Sequence, residues 1–129
     1  MDFDLVARTE KFGRDSLVFA GSVPINPLTL PIIQQFVRSS TSIGANYCEA
    51  DCAVSKKDFV YKIGIVRREA KETVYWLKMF LVAVPEKTKE IRGLLNEAEQ
   101  LCLIFNKIFN STKENLNKKD DDNPSFDIE

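Results

Sequence analysis

Eight positions fix the shape of this chain before anything else is considered. Phe59, Ile63, Val66, Ala70, Thr73, Leu77, Phe80 and Val84 follow one another by alternating fours and threes. That spacing keeps one face of an α-helix apolar over its whole length, which is the seam of a bundle helix. The stretch opens with the strongest start signal in the sequence. Ser55 with Asp58 three residues on makes a capping-box pattern, and Val54 is placed to pack on Phe59 as a staple. Pro85 stops it. About 30 helical residues at 1.5 Å each span roughly 45 Å, and so long an amphipathic helix needs partners of its own kind.

The sequence supplies three more. Leu5, Val6, Thr9, Phe12, Leu17 and Ala20 predict a first helix over Phe3 to Ala20, with Gly21 positioned for a left-handed cap. Pro24 and Pro27 mark the connection, and Thr29 is the expected N-cap of a second helix from Leu30 to Asp51. A fourth, Glu86 to Thr112, repeats the seam with Ile91, Leu94, Ala98, Leu101, Phe105 and Ile108. Strand signals and internal repeats are missing. The expectation is all-α: an antiparallel up-down four-helix bundle over residues 1–116. Residues 117–129 carry two positive and five negative charges and read as a disordered acidic tail. The bundle itself then has a net charge of +2, within a chain at −1.

Composition narrows the chemistry. The chain has no histidine, which removes Ser-His and Cys-His nucleophile pairs and imidazole metal ligands. Glu49 with Asp51, and Glu69 with Glu72, pair carboxylates on paper but imply no cleft. Cys48, Cys52 and Cys102 fall short of a structural zinc set and read as small buried hydrophobes in a reduced compartment. No catalytic residue, metal or cofactor is expected. Neither a signal peptide nor a run of some 20 apolar residues is present, so a cytoplasmic protein without membrane contact is expected.

Two features remain as candidate sites. On a helical projection of the third helix, Lys56, Lys57, Arg67, Arg68, Lys71 and Lys78 fall within an arc of about 120°. Lys56, Arg67 and Lys78 are eleven apart and line up along the axis. Such a stripe either tracks a phosphate backbone or is an ordinary solvated face. Tyr61 and Tyr75 beside it are stacking partners or packing. Asp58, Glu69, Glu72 and Trp76 share another sector. An indole there suits a contact between subunits, or packing on the first or fourth helix. The small residues Ser39 to Ala45 allow close helix approach, and Asn46 with Glu49 one turn on can hydrogen-bond across helices and fix register.

The run Arg38-Ser-Ser-Thr-Ser-Ile-Gly-Ala-Asn-Tyr-Cys-Glu-Ala50, with Ser55-Lys-Lys-Asp-Phe59 and Glu69-Ala-Lys-Glu-Thr-Val-Tyr-Trp-Leu77, resembles a bacterial family of four-helix-bundle proteins. The family is named after proteins encoded in intervening sequences of 23S ribosomal RNA genes. Ser42, Asn46 and Glu49 belong to its motif. The resemblance implies a homo-oligomeric ring, typically a homopentamer, without enzymatic activity. The family is structurally similar to the accessory protein of diversity-generating retroelements, a pentamer that binds nucleic acid and works with a reverse transcriptase. By that analogy the basic stripe faces RNA or DNA, although a body at +2 is less basic than such a role favours. The other expectation is a protein-interaction scaffold with no nucleic-acid ligand.

Overall fold

The computed structural model describes the backbone of residues 4–122 and the side chains of residues 4–118. All regular structure among the described residues is helical: α1 (Leu5–Ser22), α2 (Thr29–Asp51), α3 (Lys56–Ala83) and α4 (Thr88–Asp122), with a single 3₁₀ turn at Pro85–Lys87. Helices adjacent in sequence do most of the packing. The architecture is that of a four-helix bundle.

Local chemistry explains where each helix starts and stops. The Asp4 carboxylate accepts the Ala7 N–H at 3.2 Å and caps α1, while Phe3 lies outside the described residues. Gly21 does not form the expected left-handed cap: no described residue has positive φ, and α1 runs on through Ser22. The cap of α2 is a second correction. Asn26, not Thr29, satisfies the free donors, its Oδ1 accepting from Leu28 and Thr29 N–H at 2.9 Å each. Thr29 turns its hydroxyl back to the Pro24 carbonyl at 2.7 Å and is buried. Ser55 caps α3 as read, accepting the Asp58 N–H at 3.0 Å. Val54 is 95% exposed, so the staple does not form.

α4 reaches ten residues beyond its expected end at Thr112. Its seam continues through Thr112 and Leu116, both half-buried, and no proline interrupts it before Pro124. The first residues of the supposed disordered tail, up to Asp122, are therefore helical. Residues 123–129 lie outside the described residues.

The α3 seam is buried from Ile63 to Val84, with Phe59 half-buried at its start. Phe19, Phe36 and Phe80 meet edge-to-face, with ring centres 5.2 to 6.1 Å apart, and tie α1, α2 and α3 together. A Thr73–Ser39 hydroxyl contact at 2.9 Å bridges α3 and α2 inside the core. Within the small-residue stretch, Thr41 and Ser42 satisfy their hydroxyls on the Val37 and Arg38 carbonyls one turn back. At Gly44 the close approach expected of that stretch is present: an added Cβ would lie 3.3 Å from Thr9 backbone atoms on α1.

That contact makes a stability prediction. Gly44→Val must push α1 off α2 and should cost about 1–3 kcal/mol, seen as a lower urea midpoint. Gly93→Ala in α4 is the counter-case, because its Cβ would meet nothing within 4 Å. Helix propensity alone then gives a gain of up to about 1 kcal/mol.

Candidate nucleic-acid interface

The basic stripe survives on α3 with one member displaced. Lys56, Lys57, Arg68, Lys71 and Lys78 are exposed. Arg67 is not: it leans into the α3–α4 seam, its guanidinium carbon 3.9 Å from the centre of the Phe109 ring. Its Nη1 donates to Asn106 Oδ1 at 3.4 Å, and its Nε is buried without a partner. Eleven-residue spacing placed Arg67 in line with Lys56 and Lys78, but a flat guanidinium on a flexible stem finds the aromatic face beside it. Lys113 of α4 also stands over Phe109, 5.4 Å from the ring centre. Neither Phe109 nor Lys113 was found by reading helices singly. The signal available was their place on the seam side of a helix that outlasts Thr112.

Two of the three acids of α3 are engaged elsewhere. Arg38 on α2 reaches both Glu69, at 3.2 Å, and Glu72, at 2.6 Å. Lys62 pairs with Glu49 of α2 at 2.6 Å. Two of the three acids of α3, Glu69 and Glu72, are thus taken up against α2, whereas Arg68, Lys71 and Lys78 make no ion pair among the described residues. Each exposed pair adds little stability by itself, but the asymmetry leaves one face of α3 positive.

The motif residues divide. Glu49 does reach across to α3, through Lys62. Asn46 does not: its Nδ2 donates to the Ser42 carbonyl at 2.9 Å within its own helix, and Ser42 donates to the Arg38 carbonyl at 2.6 Å. The polar pair expected to bridge together is one bridging carboxylate and one intrahelical amide. Cys48 and Cys52 are exposed, against the expectation of burial. Cys48 stands at the rim of the α1–α2 groove, and Cys52 is the first residue past α2. Cys102 is half-buried, and that burial pushes its thiol pKa up. Among the described residues no three His, Cys, Asp or Glu converge as a metal site. Nor is any helix there long and apolar enough to cross a membrane.

Trp76 is half-buried against the edge of the core. Its ring packs edge-to-face on Tyr75 at 4.9 Å, and its Nε1 donates to Glu72 Oε2 at 3.0 Å. The Arg38 guanidinium, and then this indole, hold the Glu72 carboxyl below the usual glutamate range. The folded carboxylate binds its proton less tightly than the unfolded one. The contact therefore stabilises the fold above the ordinary glutamate pKa, and that support is lost as pH falls through the lowered value. Trp76 is the only tryptophan, so its fluorescence should report the titration. We expect an acid transition below the ordinary glutamate pKa, moving upward in Arg38→Gln. A transition unmoved by that change would break the assignment.

A small all-α bundle, with a polarised third helix and no metal cluster among its described residues, is the class these observations define. Comparison with known proteins places it further. The family model described as 23S rRNA-intervening sequence protein matches residues 29–107, and the chain belongs to that family. A solved structure similar to it is that of a protein of unknown function from the S23 ribosomal protein family of Bacteroides thetaiotaomicron. The two share 24% identity and a TM-score of 0.71, over 82% of this chain and 98% of that one. That likeness supports the fold. No curated protein matches.

Proposed function

We propose that this family member is a non-enzymatic, homo-oligomeric, antiparallel up-down bundle that binds RNA or another nucleic acid through the exposed basic face of α3. One observation carries the reading: Glu69 and Glu72, two of the three acids of α3, are drawn to Arg38 while Arg68, Lys71 and Lys78 stand exposed and unpaired among the described residues. Exposed cations in a row along a rigid helix suit phosphates, whose neutralisation releases counterions. Lys56 and Lys57 extend the face toward the α2–α3 turn, and Arg67 supports it from the seam.

The same reading takes the protein as a ring of copies, a homopentamer, with Trp76 at the contact between neighbours. The half-buried indole has apolar surface left to cover. Light scattering on the purified chain measures the subunit number. The binding test is anisotropy of labelled single-stranded and hairpin RNA at low salt. Binding that weakens at moderate salt supports the reading, and no binding at low salt sinks it.

A scaffold for a protein partner is the second reading. Ile25 and Leu28 on the α1–α2 connection and Val82 near the end of α3 favour it, being exposed large apolar side chains. An apolar contact of that kind would be insensitive to salt.

A further inference from the structure

We propose that the shallow cleft between α3 and α4 is a nucleotide subsite for single-stranded nucleic acid, in which an unstacked base lies on Tyr61 and its phosphate is held by Arg68 and Lys113. This rests on the reading of α3 as a nucleic-acid face, and extends it to a second helix and to a preference for single strands.

The cleft encloses about 300 Å³ and its lining holds three cations, Arg67, Arg68 and Lys113, with no carboxylate. In a chain of net charge −1 that is a marked local imbalance. The floor is built by Phe109. A Cβ on Gly64 would lie 3.1 Å from that ring, so glycine is what lets the ring rest directly against α3. Arg67 covers Phe109 from one helix and Lys113 from the other, at 3.9 and 5.4 Å. With its Nε shielded from water and unpartnered, Arg67 is a fixed positive charge at the base of the cleft, where lower dielectric lengthens its reach.

Tyr61 supplies what a phosphate site alone does not need. It lies on the cleft wall and is 65% exposed, so most of an aromatic side chain is open to solvent beside the cations. Base stacking on such a ring is sequence-tolerant and strong, but it needs a base whose face is free. Bases in a duplex are stacked on one another and reach a protein surface only by their edges and backbone. A cation-lined cleft with an exposed aromatic wall therefore favours a single strand over a duplex.

The test is anisotropy with the full chain, using a labelled uridine-rich single strand, the same sequence as DNA, and a duplex RNA. Tyr61→Ala, Tyr61→Phe, Lys113→Gln and Lys78→Gln are compared, each checked by circular dichroism and light scattering. The subsite predicts that Tyr61→Ala weakens single-strand binding about tenfold while Tyr61→Phe preserves it and duplex binding is unmoved. Lys113→Gln should lower the salt dependence by about one phosphate contact. Binding of the RNA strand alone, or of both strands, says whether the sugar is also read, and either supports the subsite. Single-strand binding that ignores Tyr61→Ala and Lys113→Gln yet falls in Lys78→Gln overturns the subsite and leaves the α3 face standing. A wild-type protein that binds no strand overturns both.

Discussion

Phe80→Ala should cost about 3–5 kcal/mol of stability, much of what a domain of this size has to lose. The Phe80 ring is fully buried, and it touches Phe19 at 5.2 Å and Phe36 at 5.3 Å between ring centres, both edge-to-face. Three helices converge on those rings, so removing one leaves a cavity that no single side chain can fill by rotating. Edge-to-face contacts are lost as well as buried area. Phe80→Leu retains most of the volume and should cost clearly less. Urea unfolding followed by circular dichroism reads both. A Phe80→Ala midpoint near that of the unaltered chain would show that the three-ring junction is not the keystone of the bundle.

Reversing Arg68, Lys71 and Lys78 to glutamate should have the opposite profile: stability nearly unchanged, nucleic-acid binding gone. The three side chains are exposed and make no ion pair among the described residues, so their change should stay within about 0.5 kcal/mol of neutral per site. The net charge, however, moves from −1 to −7. Attraction to a phosphate chain becomes repulsion along the same face, and affinity at low salt should fall by about a hundredfold or more. The pair of experiments separates folding from function. A variant that keeps its fold, its subunit number and its RNA affinity would remove α3 from the account.

The fold was largely legible because it is written in a period. Alternating fours and threes from Phe59 to Val84 name a helix and its buried face at once, and the core adopts that face. Ends were harder to read, since a cap depends on which nearby side chain wins the free donors. Asn26 outcompetes Thr29 because its carbonyl reaches two N–H groups while Thr29 is occupied by Pro24. α4 outlasts Thr112 because its seam continues at Thr112 and Leu116, a signal masked in the sequence by the charged residues that follow. For the site, projection onto one helix groups Arg67 with the exposed cations, whereas its side chain turns into the seam toward Phe109 of another helix. Lys113 was invisible for the same reason. A partner across a seam has no fixed sequence spacing. The exposure of Tyr61 was likewise undecided between stacking and packing until the neighbouring helix was in place.

The most direct test of the central claim is the slope of binding against salt. Affinity for a single-stranded RNA is measured by anisotropy across a series of potassium chloride concentrations and plotted as log affinity against log salt. Three to five phosphates neutralised along α3 predict a slope of roughly −2 to −3.5, shallower by about 0.7 for each phosphate-contacting stripe cation removed. A flat line, or no binding at the lowest salt, would contradict the account.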